Sequence, residues 1–355
     1  MTTKRKLRRL DQTLQNCRTL LILLHNYPDP DALASGMLLA HLVRKRYRIR
    51  TRLVYGGLIT RAENRTMVQL LKVKLRHANE VRFPRYRHIA MVDTQPGFGN
   101  HSLPDTIRPT IVLDHHPQSE KQPARFTDIR PDYAATTTIL LEYLKEAELE
   151  LTVDLATAAA YAIRSETQEF GREASRRDIK TYAAVYLKAN KIKLSRINRP
   201  KLPRDYFQLL LHALQSARVF RHIAHVHLGE VASPEFVSQI ADLLLRHERI
   251  TWALATGRFE NTLFVSLRCS HAHANAGGTL KRIVGKRGSA GGHTMMAGGS
   301  LTLGDPTAER WQELETYVVT RLLSRLHYNK SAEWKPMLDV VNSGNLESVE
   351  ENGGH

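Results

Sequence analysis

The sequence predicts an α/β protein: a mostly parallel five-stranded sheet with flanking helices, followed by a smaller α/β domain on a mixed sheet. Three observations lead there. Across residues 18–180, short apolar runs alternate with amphipathic stretches, the pattern of strands joined by helical crossovers. Several of these runs end in aspartate or histidine, and in parallel sheets functional groups gather at the carboxyl ends of strands. Later in the chain the pattern changes, and "TWALATGRF" and "TLFVSLRCS" meet at "FEN", which suits a hairpin.

The elements follow in order. "MTTKRKLRRLDQTLQNC" reads as a basic amphipathic helix. The apolar run behind it is too short for a secretory signal, and no small-residue cleavage site follows. "RTLLILLH", "IRTRLVY", "EVRFP", "HIAMVDT" and "TIVLDHH" are the five expected strands. "ALASGMLLAHLVRKR", "TMVQLLKVKL" and "ATTTILLEYLKEAEL" are the helices between and after them. A helical run, "LATAAAYAIRSE", leads through "TQEFGREASRRDIKTYAAVYLKA" to "NKIKLSRINRPKLPRD", a basic, proline-containing connection. The second domain reads strand "HIAHVHLGE", helix "EFVSQIADLLLRHE", the hairpin pair, helix "AGGTLKRIVGK", strand "GGSLTL" and closing helix "AERWQELETYVVTRLLSRL". The expected limits are residues 1–190, a helical linker 191–217, a second domain 218–328 and a mobile tail 329–355. No internal repeat is present.

A length of 355 residues suits two domains, and 42% hydrophobic residues suffice for packed cores. The net charge of +17 favours nucleic acid, nucleotides or an acidic membrane face as partners; a generally basic soluble surface is the plain alternative. Cys17 and Cys269 make neither a disulfide framework nor a zinc knuckle, and a cytoplasmic location fits best. No segment is long and apolar enough to span a bilayer.

Four stretches carry candidate chemistry. "LILLHNYPDPDALASG" runs a strand into His25, Asp29 and Asp31, with Pro28 and Pro30 stiffening the turn between them. "MVDTQPG" ends a strand at Asp93, and "VLDHHPQ" ends another at Asp114, His115 and His116. "RSETQEFGREAS" holds Glu166. Singly, each of these is as well explained by a cap, a turn or a surface residue. Recurrence at strand ends of one parallel sheet makes the groups converge. Clustered carboxylates repel and shift one another's protonation unless a cation intervenes, and a mixed carboxylate–imidazole set suits manganese, iron or zinc.

"HNYPDPDALASG", "VDTQPG", "LDHHP" and "SETQEFG" resemble the ordered motifs of the DHH phosphoesterase family, and "RCSHAHANAGGTLKRIVGKRGSAGGHTMMAGG" is similar to that family's associated second domain. The resemblance covers roughly residues 20–305. It implies an active-site cleft between the domains holding two divalent metals, manganese first, with magnesium, cobalt or iron(II) as alternatives. Carried over position by position, His25 and Asp29 bind one ion, Asp31 and His115 the other, and Asp93 bridges them. His116 faces the scissile phosphate, and Asp114 orients a histidine. Glu166 stands where the family commonly has aspartate, and ligates directly, through water, or not at all.

In the second domain, Gly291, Gly292, Gly298 and Gly299 offer close backbone approach, His293 a hydrogen bond and Arg268 a fork for phosphate. A structural turn is the alternative. Ser289 and Ala290 replace glycines usual before the GGH stretch. The implied activity is hydrolysis of phosphoester bonds in short oligonucleotides or nucleotide bisphosphates by a two-metal-activated water. Alternatives are a pyrophosphatase, a catalytically weak relative that binds nucleotides as a sensor, and plain nucleic-acid binding. Short oligonucleotide or nucleotide substrates are the implied partners, with a homodimer left open.

Overall fold

The computed structural model describes residues 2–59, 61–118, 124–171, 174–271, 273–292, 294–304, 307–329 and 332–338. The chain forms two compact units, residues 1–201 and 202–355.

The first unit opens with α1 (Thr3–Thr13), which buries Leu7 and Leu10. Then come β1 (Thr19–Leu23), α2 (Pro30–Tyr47), β2 (Arg50–Tyr55), α3 (Ala62–Leu70), β3 (Leu75–His77), β4 (Ile89–Val92), β5 (Ile111–Asp114) and β6 (Phe126–Ile129). Four helices close the unit: α4 (Thr136–Glu146), α5 (Val153–Glu166), α6 (Arg176–Lys188) and α7 (Lys191–Asn198). The strands lie in the order β3-β2-β1-β4-β5-β6, and every pairing is parallel. The order reverses between β1 and β4, which opens a crevice beyond their carboxyl ends.

One sheet face packs against helices through residues such as Leu20, Ile22, Leu38, Ile139 and Ile163. The other, lined by Leu21, Leu23, Val54 and Met91, is covered by Ala78, Phe83 and Leu103 from connecting segments. The sheet therefore has six strands, not the expected five. "EVRFP" is not among them: 3-10 turns at Ala78–Glu80 and Phe83–Arg85 flank Val81. Pro84 supplies no ladder donor, and Phe83 is used as a plug over the sheet. The added strands are short: β3, at the end of the stretch expected to be one helix, and β6.

In the second unit α8 (Arg204–Ser216) precedes β7 (Arg218–Phe220), β8 (Ile223–Glu230), α9 (Glu235–Leu244), β9 (Trp252–Phe259) and β10 (Thr262–Cys269). There follow α10 (Ala276–Val284), β11 (Gly288–Gly292), β12 (Met296–Thr302), α11 (Ala308–Arg325) and the two-residue β13 (Lys335–Pro336). Their order is β11-β12-β10-β9-β8-β7-β13, antiparallel except for β8 with β9. One face carries α9 and the other α10 and α11, each over its own apolar cluster. The connection around residues 191–217 is helical: α7 buries Leu194 and Ile197 in the first core, and α8 buries Ala213 in the second unit. Part of the segment expected as a tail is packed, with Trp334 against Phe220 and His225. Residues 339–355 lie outside the described residues.

Candidate metal centre

β1 and β4 deliver the first groups to the crevice. Beyond β1, His25 donates from Nδ1 to the Asn26 carbonyl (2.9 Å), which turns Nε2 toward two carboxylates. Nε2 lies 3.6 Å from Asp29 Oδ1 and 3.6 Å from Asp93 Oδ2. Asp29 is the N-cap of α2, accepting from the Ala32 amide at 2.9 Å, with Pro30 at the first helical position. The helix start thus fixes both Asp29 and Asp31.

Asp93 follows β4 with φ of +59°, a left-handed conformation that costs a non-glycine residue about 1 kcal/mol. Its amide is held by the Leu113 carbonyl (2.9 Å), and its Oδ1 accepts from Thr136 Oγ1 (2.9 Å). Asp93 belongs to both groups of side chains close enough to share an ion. One is His25, Asp29 and Asp93; the other is Asp93, Asp114, His115 and His116; the ligand atoms within each lie inside 4.8 Å.

Asp114 ends β5 and is fully buried. Its Oδ1 accepts from the His115 and His116 amides (2.7 and 3.2 Å) and from His116 Nδ1 (2.9 Å); Gln95 Nε2 donates to Oδ2 (2.8 Å). Asp114 is therefore an orienting group that sets the His116 tautomer, Nδ1 protonated and Nε2 on the far side of the ring. His115 pairs through Nδ1 with the Tyr133 carbonyl (3.2 Å). Among the described residues its buried Nε2 has no hydrogen-bond partner, and it lies 3.6 Å from Asp93 Oδ1.

Asp31 and Glu166 fall outside both groups. Asp31 is 1% exposed, and its carboxylate caps α4: Oδ2 accepts from the Thr136 amide (2.7 Å) and Oδ1 from the Thr137 amide (2.8 Å). Two of its four lone-pair sites remain. Glu166 is the last residue of α5 and near enough to raise the pKa values of Asp93 and His116 by its charge.

The electrostatics are those of an uncompensated cluster. Burial, then Asp31 and Asp29, push the Asp93 carboxyl well above the carboxylate range. Burial, joined by Asp29, also raises Asp31. Burial alone would lower His25, but Asp29 foremost outweighs it and holds the imidazole at about 9. Burial would raise Asp114; hydrogen bonds from His116 and Gln95 bring it below its ordinary value.

The donor set fits divalent ions. Ligands at about 2.1 Å from a shared ion lie about 3–3.5 Å apart, near the 3.6 Å separations at His25 and His115 and longer than hydrogen bonds. The orphaned His115 Nε2 gives the same indication.

Sequence reasoning missed the groups that position the site. Thr136 and Thr137 hold Asp93 and Asp31, and the segment before α4 is anchored in turn by Asp178, which accepts from Thr138 Oγ1 (2.7 Å) and the Ala134 amide (3.2 Å). Gln95 was visible within "VDTQPG", and the threonine run only as a helix start.

In the second unit a pocket of about 270 Å³ is lined by Pro234, Phe264, Arg268, Gly292, Gly298 and Gly299, among others. Gly298 has open space where a Cβ would stand; Gly292 has φ of +148°, and a Cβ there would lie 2.3 Å from the Met296 carbonyl oxygen. Gly291 pairs with Gly298 across β11 and β12 and is not among the lining residues. Arg268 is already engaged: Nε pairs with Asp242, and Nη1 donates to the Leu267 and Ala297 carbonyls (3.2 Å each). His293 lies outside the described residues.

A six-stranded parallel unit with a His/Asp-lined carboxyl edge, followed by a mixed-sheet unit with a glycine-lined pocket, is the make-up of a DHH-type protein. The chain belongs to the DHH family: the DHH family N-terminal domain matches residues 19–163 and the DHHA1 domain residues 221–320. An uncharacterised protein of Methanocaldococcus jannaschii is 33% identical over 306 residues, 85% of this chain; the chain spans 62% of that relative's length. The fold is shared with an exopolyphosphatase-related protein from Bacteroides fragilis (TM-score 0.66, 14% identity, 90% of this chain and 97% of that one). It is shared also with the manganese-bound exonuclease RecJ (TM-score 0.50, 12% identity, 92% of this chain and 94% of that one). Among the described residues no helix is long and apolar enough to cross a membrane.

Proposed function

We propose that this chain is a metal-dependent phosphoesterase that hydrolyses short oligonucleotides or nucleotide bisphosphates. The observation that carries the reading is Asp93, whose two oxygens face two different histidines, His25 at 3.6 Å and His115 at 3.6 Å. On this reading His25 and Asp29 would hold one divalent ion, His115 and the lone pairs Asp31 keeps free of amides would hold the other, and Asp93, common to both groups, would serve either. Glu166 reaches the site from the end of α5, directly or through water. Manganese is the proposed metal, in keeping with the ion bound by the RecJ relative. Bound there, the ions would supply positive charge against a phosphoryl group and acidify a water molecule.

The chain's own residues then divide the remaining work. Asp114 holds the His116 ring through Nδ1. The proton on His116 is retained to higher pH than usual because Asp114 outweighs the effect of burial. When the ring carries both protons, His116 Nε2 can donate a hydrogen bond to a phosphoryl oxygen. The apolar and glycine-lined pocket of the second unit is, on this reading, a nucleoside-binding pocket. The test supplies manganese with RNA of two to five nucleotides, 3′-phosphoadenosine 5′-phosphate or a cyclic dinucleotide. Mononucleotide or phosphate release that disappears in Asp93→Ala is expected. No release from any of the three substrate classes overturns the reading.

A second reading, nucleotide binding without turnover, draws on the engagement of Arg268 by Asp242 and of Asp31 by two amides. Saturable nucleotide and metal binding by calorimetry with no product over many hours distinguishes it.

A further inference from the structure

We propose that the amino edge of the first unit's sheet is a second anion-binding surface, built to hold the sugar–phosphate backbone of a single-stranded nucleic acid. The inference does not depend on hydrolysis, because the metal centre lies at the other end of the same strands.

All six strands start on this edge, since every pairing is parallel. A basic residue stands at or just ahead of each start. In spatial order along the edge these are Lys74 ahead of β3, Arg50 opening β2, Arg18 ahead of β1, Arg87 ahead of β4, Arg108 ahead of β5 and Arg125 ahead of β6. All six are exposed. Among the described residues none of the six is ion-paired to a carboxylate. Strands about 4.8 Å apart make this a row of about 24 Å. That length accommodates about four or more nucleotides.

The charge is localised rather than general. Residues 1–201 carry 36 lysines and arginines against 20 aspartates and glutamates, a net +16; residues 202–355 carry 16 against 15, a net +1. The row is felt electrostatically: His88, just before β4, is lowered in pKa by burial and then by Arg87 and Arg125. Further cations flank it. Arg52 lies two residues along β2 from Arg50 and donates to the Tyr86 hydroxyl (2.7 Å), with its guanidinium over that ring. Arg82 and Arg85, beside Tyr86, are exposed.

Two features favour nucleic acid over a lipid surface. Five of the six edge residues are arginine, whose planar fork matches phosphate oxygens in pairs. A membrane-seeking surface adds exposed apolar residues. The exposed large hydrophobic residues, such as Leu58, Val153, Leu187 and Ile192, are not at the strand starts. The metal centre stands at the carboxyl ends, strands of three to six residues away, so on the order of 10–20 Å off.

The test uses the full chain with EDTA and a fluorescein-labelled 12-nucleotide RNA, followed by anisotropy between 50 and 300 mM KCl. The probe variant is Arg50→Glu/Arg87→Glu/Arg125→Glu. The control, Arg204→Glu/Arg246→Glu/Arg325→Glu, makes the same charge change at exposed positions of the second unit. The probe variant is expected to bind at least about 30-fold more weakly at 100 mM KCl. Its slope of log K against log salt should flatten by about 2, since three lost contacts count about 0.7 each. The control should shift less than about threefold. A folded probe variant that binds as the wild type does, or loses no more than the control, overturns the proposal. So does a loss confined to phosphatidylserine vesicles, or tighter binding of a blunt 12-base-pair duplex than of the single strand. Should the glutamate variant fail to fold, the corresponding triple glutamine variant is judged by the same comparison, with a flattening of the same sign.

Discussion

Replacing Asp93 by asparagine should make the metal-free protein more stable and the metal-loaded protein less so. Asp93 is 2% exposed, and burial together with Asp31, Asp29 and Asp114 opposes its ionisation. The unfolded chain releases that proton freely near neutral pH, so the folded state is penalised as pH rises through the ordinary carboxylate range toward the folded value. Asparagine keeps the shape and can still accept from Thr136 Oγ1 without a charge to bury. The relief should be about 1–3 kcal/mol, the scale of a buried polar mismatch. For a unit of this size that corresponds to about 2–4 °C in Tm per kcal/mol. Manganese at a hundredfold excess over its Kd should stabilise the wild type by about 2.7 kcal/mol, and this shift should vanish in the variant. Differential scanning calorimetry with EDTA or manganese is the assay. Intrinsic fluorescence would not serve, because Trp252, Trp311 and Trp334 all lie in the second unit. A variant that melts lower than wild type in EDTA, or retains the manganese shift, would refute the reasoning.

Other outcomes follow from the same geometry. Asp114→Asn should lower hydrolysis about 10²–10⁴-fold while manganese affinity changes less than tenfold, because it disturbs the His116 tautomer and not an ion-facing atom; a parallel fall in both would contradict the assignment. Asp128 is fully ionised in the fold: burial would raise its carboxyl, but Arg130, Lys6 and Tyr143 bring it below its ordinary value. Its stabilisation is present above the unfolded pKa near 3.9 and drains away as pH falls through the lower folded value. Arg130→Met should therefore cost about 3–5 kcal/mol at pH 7 and flatten the acid limb of stability in urea titrations followed by circular dichroism. Gly298→Val fills open space in the second unit's pocket, so Tm should move by less than about 3 °C while nucleotide binding by calorimetry falls more than tenfold.

Much of the fold was legible because its signals are local. Apolar runs ending in "LLH", "MVD" and "VLDHH" mark strand ends, and a parallel arrangement brings such ends together at one edge. His25, Asp29, Asp93, Asp114 and His115 assemble for that reason, and Pro30 after Asp29 marks a helix start without further help. Composition likewise set the basic balance, and the alternation of periods set the α/β class.

Other features depend on partners distant in the chain, which no local pattern records. Asp31 reads only as one more ligand, but its oxygens also cap α4 through the amides of Thr136 and Thr137, 105 and 106 residues away. Arg268 reads as a phosphate fork until Asp242 is found beside it. "EVRFP" has strand composition, but Phe83 is buried against the sheet's second face and Pro84 has no N–H to give a ladder. The short β3 and β6 exist because β2 and β5 offer them edges to pair with. Sequence by itself determined which groups stand at strand ends; only tertiary packing decided which of them remain available, since hydrogen-bond partners are assigned by proximity in space.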